Sequence, residues 1–273
     1  MLLRVKRSRS SSTAPRTGGA GWLRGVIGLV VFAAVLEIFP RTGLVSPLYF
    51  PPLSDILVAL GQEAATGAFW ISLLLTLRSW AIGLAVAVAA GAALGFFFGS
   101  SPFLRRLTAS TIDFLRPIPS VALIPLAVLL YGSTIRSTLL LVVYASIWQV
   151  LIQVLYGVQD VDPVARQTAV SYRLGWWGEI RHVVWPTTLP YLMTGIRLAA
   201  AVALILTITS ELIIGTPGLG KQIALAQSGG AVATMYAYVV VTGLIGVVVN
   251  ILARLLERRV MHWHPSIRRV EAA

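Results

Sequence analysis

The sequence predicts an all-α, polytopic membrane helical bundle with about six transmembrane helices. Its 273 residues are 57% hydrophobic and 12% charged, with a mean hydropathy of +0.82, which is too apolar for a soluble domain of this length. Apolar runs near the length that crosses a bilayer, about twenty residues, recur along the chain. The predicted spans are residues 25–39, 73–99, 115–131, 137–157, 191–213 and 234–254.

The distribution of basic residues predicts how these spans are oriented. Segments predicted inside hold sixteen of the 22 Lys and Arg residues, and segments predicted outside hold three: Arg41, Arg136 and Lys221. Because cytoplasmic loops carry the excess of Lys and Arg, both termini and residues 158–190 are predicted to be cytoplasmic. The net charge of +12 therefore reflects topology, which makes anionic lipid an expected partner and excludes nucleic acid.

The chain is predicted to have four segments. The first span is predicted to stay uncleaved, because no small-residue cleavage site follows it. An interfacial helix is predicted from Leu53, Ile56, Leu57 and Leu60, which recur at helical spacing after two prolines. The segments are a basic disordered cytoplasmic tail (1–24), the first span with the outer interfacial helix (25–69), the transmembrane domain (70–265) and a cytoplasmic C-terminal tail (266–273).

Residues 158–190 form a polar island between two apolar spans. Asp162 before Pro163 predicts a helix N-terminus, and Gly175 predicts a turn after about three helical turns. A second helix is predicted from Trp176 to an end at Pro186, with Pro190 opening the next span. Two short helices that project from a bilayer are expected to dock in a partner's groove.

The island resembles the "EAA" cytoplasmic loop of membrane subunits in binding-protein-dependent ABC importers. In the resemblance, Gln167, Thr168 and Ala169 occupy the Glu-Ala-Ala positions. Gly175 corresponds to the family's glycine, although it lies two positions later than the usual spacing, and Pro186 corresponds to the family's proline. FLRPIPSVALIPLAVLLYG (114–132) and LLERRVMHWHPSI (255–267) resemble segments of the nitrate, aliphatic sulfonate and taurine subgroup.

This resemblance implies a type I ABC importer permease fold in a bacterial inner membrane. A second copy of the chain would complete the path for a small, anionic solute such as a sulfonate, nitrate or taurine. A dimer of ATPase subunits would grip residues 167–185 and bind the ATP, and an extracytoplasmic solute-binding protein would deliver the solute. The chain itself would hold no cofactor, metal or catalytic residue.

Two alternatives from other classes are an integral-membrane enzyme and a stand-alone secondary transporter. An enzyme would need acid, base or metal ligands clustered at one face, whereas the island offers Asp160, Asp162, Glu179 and His182 without metal-ligand spacing. A secondary transporter would need coupling-ion groups at mid-bilayer and no docking loop.

Several residues are candidates for the translocation path. Prolines in the third span free backbone groups that lipid does not tolerate unless protein or a cavity surrounds them. The break therefore marks a translocation path or is a kink packed within the protein. Ionisable groups inside spans usually face the bundle or a cavity, so three alternatives are open for Arg197: it lines the route of an anion, pairs with Glu211 or extends to an interface. The candidates are Arg116, Pro117, Pro119, Gln149, Arg197 and Glu211.

The segment from Gly215 to Gln222 nearly spells a phosphate-binding loop. Gln222 lacks the hydroxyl that would hold magnesium, and no strand precedes the loop. It is therefore predicted to be an outer turn, and the resemblance places Gly215, Gly218 and Gly220 near the docked binding protein. His262 and His264 are predicted to be interfacial rather than metal ligands.

Overall fold

The computed structural model describes residues 20–46 and 48–261. No β-strand occurs in these two ranges, so the predicted all-α class is confirmed. Residues 1–19 of the predicted N-terminal tail, the predicted C-terminal tail, His262 and His264 lie outside the described residues, whereas residues 20–24 of the predicted tail belong to the first helix. The helices are α1 (Ala20–Arg41), α2 (Leu53–Ala64), α3 (Gly67–Gly99), α4 (Pro102–Leu115), α5 (Ile124–Tyr131), α6 (Ile135–Gln159), α7 (Pro163–Ser171), α8 (Trp176–Glu179), α9 (Trp185–Ile214), α10 (Leu219–Ser228) and α11 (Val232–Val260).

Within residues 20–46 and 48–261, five helical segments are long and apolar enough to cross a membrane: Leu23–Arg41, Gly67–Gly99, Ile135–Gln159, Trp176–Ile214 and Val232–Val260. A sixth span forms if α4 and the segment Ser120–Tyr131 are counted together across a 79° bend. The prediction of about six spans is confirmed. The single span predicted at 115–131 is wrong in detail, because Pro117 and Pro119 break the helix. The eight residues of α5 reach only about 12 Å, so α4 must contribute to this crossing.

The described residues up to Asp55 form one compact unit. Most side chains of α1 are exposed, and the helix continues one residue past Pro40, where the sequence predicted its end. Near that end the Glu37 carboxylate accepts hydrogen bonds from the Ser54 amide at 2.9 Å and the Ser54 hydroxyl at 3.1 Å. Glu37 also pairs with Arg41, so this intramembrane acid is neutralised locally.

A second unit begins at Ile56, and its centre is a layer of three helices, α3, α6 and α9. Four glycines of α3, here called the glycine ridge, face α6: Gly83, Gly91, Gly95 and Gly99. A Cβ added at Gly95 would lie 2.8 Å from the Leu151 carbonyl oxygen and from the Val154 Cβ. The two backbones therefore touch, as small residues at four-residue spacing allow between membrane helices.

The contact between α6 and α9 also depends on glycines. A Cβ at Gly157 would lie 2.9 Å from the Tyr191 Cβ, and one at Gly195 would lie 3.1 Å from the Val150 Cα. Trp80 of α3 reaches across to donate to the Ala200 carbonyl of α9 at 3.0 Å. The buried apolar cluster around this contact contains Val150, Val154, Val158, Val161, Val184, Leu189, Leu192 and Ala199.

The amphipathic helix predicted near Leu53 is present as α2. From Ile56 onward it packs on α11, with Ile56 and Ala59 buried against Ala237. Leu57, predicted on the apolar face, is exposed, because the contact face is centred on Ile56 and Ala59 instead. Across the same contact the Tyr238 hydroxyl donates to Glu63 at 2.8 Å.

The predicted helix end at Pro186 is wrong. Helical structure runs without a break from Trp176 to Ile214, and Pro186 and Pro190 both lie inside it. A π-helical turn at Ile180–Val184 immediately precedes Pro186, and such a turn shifts the hydrogen-bond register where the proline amide is missing. Thr187 Oγ1 donates to the Val183 carbonyl at 2.8 Å, which satisfies one of the groups at the joint.

Candidate coupling elbow, cavity and cap

The predicted polar island folds as a helical corner, residues 160–184, here called the elbow. Its first helix, α7, begins as predicted, since Asp162 Oδ1 accepts from the Val164 amide at 2.7 Å. Arg166 Nε donates to Glu179 Oε1 at 2.7 Å and joins α7 to α8. An internal ion pair thus links the two short helices.

The chain turns at Arg173, not at Gly175. Arg173 has φ +55°, in the left-handed region. The Leu174 amide donates to the Ala169 carbonyl and the Arg173 amide to the Val170 carbonyl, both at 2.9 Å, which is the Schellman closure of a helix C-terminus. This closure places the left-handed residue directly after the helix. Gly175, with φ −60°, is the N-cap of α8.

The surface of the elbow is unusually apolar for a polar loop. Tyr172, Trp176 and Trp177 are 78%, 68% and 74% exposed. The two tryptophan rings pack edge to face, with their centroids 5.0 Å apart. Of the predicted Glu-Ala-Ala positions, Gln167 and Thr168 are exposed and Ala169 is buried. The elbow patch, defined as Val164, Val170, Tyr172, Leu174, Trp176 and Trp177, has the composition of a protein-binding surface.

The elbow is continuous with α9, because the π-helical turn joins α8 directly to Trp185 and Pro186. A second link ties the start of the elbow to the same helix, where the Tyr191 hydroxyl donates to Asp160 Oδ2 at 2.7 Å. With 30 residues, α9 is about 45 Å long. A force on the elbow therefore acts directly on a helix that reaches the opposite end of the bundle.

The predicted irregular backbone at Arg116–Pro119 lies beside a large cavity. The break frees the Leu115 carbonyl, which accepts from the Tyr144 hydroxyl at 2.7 Å and from the Ile118 amide at 3.2 Å. The cavity measures about 1100 Å³, lies among α3, α4, α5 and α6, and is mainly apolar. Its polar lining residues are Thr108, Thr111, Tyr131, Arg136, Tyr144 and Trp148.

None of the six residues predicted to line a path is in the wall of this cavity. Arg116, Pro117 and Pro119 are exposed beside it, whereas Gln149 lies where α6 crosses α9 at Gly195. Arg197 pairs with Glu257 of α11 at 3.2 Å, so its predicted alternative, a pair with Glu211, does not form. Arg136 and Tyr144 line the cavity but were not among the predicted path residues. For Tyr144 the sequence offers one signal, its helical spacing with Trp148, and for Arg136 only its position just before a predicted span.

Glu211 holds the segment 215–228, here called the cap, at the other end of α9 from the elbow. The Glu211 side chain is 1% exposed, and its Oε2 atom accepts hydrogen bonds from Thr76 Oγ1 at 2.8 Å and from the Gly220 amide at 3.0 Å. The Leu219 amide donates to Thr76 Oγ1 at 2.8 Å. The N-terminus of α10, where a phosphate-binding loop would hold its anion, is thus occupied by a carboxylate of the chain.

Two of the three cap glycines face inward. Gly218 and Gly220 are buried, and a Cβ at either position would overlap Glu211, so their small size serves packing within the chain. Gly215 ends α9 in the left-handed conformation, with φ +79°. Among the described residues no group of three or more His, Cys, Asp or Glu could hold a metal ion.

Comparison with known proteins agrees with this architecture. The family model for the "Binding-protein-dependent transport system inner membrane component" matches residues 83–262. The taurine transport system permease protein TauC of Escherichia coli (strain K12) is 30% identical over 229 residues, which cover 82% of this chain and 83% of TauC. SsuC of Bacillus subtilis (strain 168), a putative aliphatic sulfonates transport permease protein, is 25% identical over 246 residues, which cover 90% of this chain and 89% of SsuC.

A solved amino acid ABC transporter has the same fold. It superposes with a TM-score of 0.61 and 19% identity, covering 73% of this chain and 97% of that chain. Subunits of this family are non-catalytic and rely on separate ATPase subunits, so family membership implies ATPase and solute-binding protein partners. The chain is a multi-pass inner-membrane permease subunit of an ABC importer, and it belongs to the family of binding-protein-dependent transport system inner membrane components.

Proposed function

We propose that this permease imports a small organic or inorganic anion of the sulfonate, taurine or nitrate class. Two relatives with extensive coverage are named for taurine and for aliphatic sulfonates. The solute would be delivered by an extracytoplasmic binding protein and released to the cytoplasm, with both termini on the cytoplasmic side as the basic residues indicate.

The elbow is the proposed contact with the ATPase subunits, and the elbow patch is the observation that carries this proposal. Three aromatic side chains that stay exposed on a fixed helical corner are suited to fill a groove in a partner. In this arrangement Gln167 and Thr168 face the partner, and Ala169 packs inside the corner. Pro186 lies at the joint through which the elbow moves α9.

The cavity beside the broken span is the proposed part of the translocation path in each subunit. Its wall is mostly apolar, and Arg136 is its charged lining residue, an arrangement that attracts an anion without holding it at many points. Arg116, at the break, adds positive charge nearby. A second copy of the chain is proposed to close the open side of the cavity.

The cap is proposed to face the binding protein. Gly215, Gly218 and Gly220 shape the turn from beneath, since two of the three are buried. The exposed surface of the cap is formed by Pro217, Leu225, Gln227 and Ser228. We therefore expect the binding protein to contact these side chains, while the glycines allow the turn to pack closely on the bundle.

The proposed ATPase contact is tested by replacing Trp176 and Trp177 with alanine. Loss of two exposed aromatic anchors should weaken binding of the ATPase subunit by about thirtyfold or more, since single anchors contribute about 2 kcal/mol. Co-purification of the two subunits from membranes measures this. Trp70→Ala, at the opposite end of the bundle and half exposed, is the matched control. Normal co-purification and uptake by the double variant would disprove the proposed contact.

The proposed solute class is tested by uptake into proteoliposomes that contain the assembled importer. We expect labelled taurine, an alkanesulfonate or nitrate to accumulate when ATP and the binding protein are supplied. Arg136→Gln should reduce this uptake, and Arg136→Lys should retain more of it, because lysine keeps the charge. Uptake by the Arg136→Gln variant at the level of the unaltered importer would show that Arg136 is not part of the path.

A further inference from the structure

We infer that Glu211 is a positioning residue that fastens the cap to the bundle, so that the cap and α9 move as one body during transport. The alternative is a cap that opens from the bundle as a hinged flap. This inference rests on the proposed function, because it describes how movement of the elbow reaches the mouth of the path.

The fastening is a set of buried hydrogen bonds among three helices. All of those made by Glu211 go to its Oε2 atom, and its Oε1 atom is buried without a hydrogen-bond partner. Glu211 belongs to α9, Thr76 to α3 and Gly220 to the first turn of α10. The Thr76 hydroxyl donates to Glu211 at 2.8 Å and accepts from the Leu219 amide at 2.8 Å, while Gly220 donates to the same carboxylate oxygen at 3.0 Å. Opening the cap would leave these buried donors and the carboxylate without their partners.

Close packing reinforces these bonds. The backbone of the cap lies directly on the Glu211 side chain at Gly218 and Gly220, where no Cβ fits. Leu219 is fully buried and packs with Phe69, Ile223 and Tyr238. A flap would have to expose this cluster each time it opened.

Two further polar contacts hold the edges of the cap. Gln222 Nε2 donates to Ser72 Oγ of α3 at 3.1 Å, and the hydroxyl oxygens of Thr216 and Thr138 of α6 lie 3.1 Å apart. The cap is therefore attached to each helix of the central layer. Since the same layer carries the elbow through α9, the two ends of the subunit are joined without a flexible segment.

A disulfide across the edge of the cap distinguishes the two alternatives. The chain contains no cysteine, so Thr138→Cys with Thr216→Cys introduces a single pair, whose closure is followed by loss of maleimide labelling. Because both positions are buried, labelling is measured after the protein is denatured. We expect uptake of labelled taurine by the assembled importer to be the same, within about twofold, when the pair is oxidised and when it is reduced. Uptake that is lost on oxidation and recovered on reduction would show a hinged cap and overturn the inference.

Substitutions of the fastening test the role of Glu211 itself. Glu211→Ala should lower uptake about tenfold or more, while the importer still binds its ATPase subunits and hydrolyses ATP. Glu211→Gln should restore most uptake, because the amide oxygen accepts the same two hydrogen bonds. Equal loss in the Gln and Ala variants would mean that the charge acts in another way, and would overturn the assignment.

A matched pair of threonines covers the case in which Glu211→Ala fails to fold. Thr76 and Thr207 are both fully buried, but Thr207 donates only within its own helix, to Ala203. Thr76→Val should reduce uptake and Thr207→Val should not, and equal behaviour would refute the fastening. Uptake by the unaltered importer tests the proposed function, whereas the ratios between oxidised and reduced pairs and between matched variants test only the cap.

Discussion

Replacing Gly95 with alanine should force α3 away from α6. The added Cβ would lie 2.8 Å from the Leu151 carbonyl oxygen and the Val154 Cβ, and 2.9 Å from Val154 Cγ1. Comfortable carbon contacts are about 3.5 to 4.0 Å, so the helices would have to separate by roughly 0.7 Å or more. Two of the three opposing atoms are backbone or Cβ atoms, which no rotamer change can move.

The energetic effect follows from how much packing this separation disturbs. A gap of about 0.5 to 1 Å forfeits a quarter to a half of the dispersion energy of the contacts along it. Gly91 and Gly99 make similarly close contacts on the same face of α3, so the loss spreads along the interface. We expect Gly95→Ala to destabilise the fold by about 1 to 3 kcal/mol, the usual range for overpacking.

Thermal unfolding of the purified importer measures this effect, with all variants heated at the same rate because membrane complexes unfold irreversibly. The unfolding midpoint of Gly95→Ala should fall by about 2 to 4 °C for each kcal/mol. Gly243→Ala is the matched control, since Gly243 is also inside a long helix but has nothing within 4 Å of an added Cβ. Equal shifts for the two variants would refute the argument that backbone contact holds α3 to α6.

Three further predictions concern contacts that differ in kind. The destabilisation caused by Gly83→Ala should be partly relieved by Val142→Ala, since Val142 Cγ1 is the nearest atom to the added Cβ. A double-mutant cycle of unfolding midpoints measures this coupling, and strictly additive shifts would contradict it. Either Arg166→Glu or Glu179→Arg alone should weaken binding of the ATPase subunit, and the two changes together should restore it. The half-exposed pair contributes under about 1 kcal/mol to stability. Loss of binding in the doubly changed variant would contradict an ion-pair role. Arg173→Gly should raise the unfolding midpoint and Arg173→Val lower it, because a left-handed residue with a side chain costs about 1 kcal/mol; the opposite order would reveal a contact of the Arg173 side chain.

The sequence predicted the spanning helices α3, α6, α9 and α11 because lipid imposes a simple requirement of length and apolarity. It predicted the N-terminus of α7 for a similar reason, since Asp162 before Pro163 is a local signal. Helix ends that depend on the surroundings were less predictable. Pro186 ends a helix in isolation, but the π-helical turn before it and the packing of Val184 and Leu189 in the core keep this helix intact.

Pairings across long sequence separations were the least predictable features. Glu211 was a reasonable candidate for a path because ionisable groups in membrane spans usually serve one. Its actual partners, Thr76 and Gly220, lie 135 and nine residues away, and no periodicity links them. The glycine ridge was equally hidden, because glycine is common in membrane helices and only the partner surface on α6 shows which of them are in contact.

The distribution of backbone contact indicates where this subunit is able to change shape. Between α3, α6 and α9, glycines bring main chains together, so even a small shift creates overlaps or gaps. The broken span differs, because α4 and α5 meet at a 79° bend beside a large cavity, and a side-chain hydroxyl from Tyr144 supports the freed carbonyl. Movement of α4 and α5 against the rigid layer would alter the cavity without separating the elbow from the cap. We therefore propose that the subunit changes shape at the bend to admit the solute, and that the layer that carries α9 transmits the force.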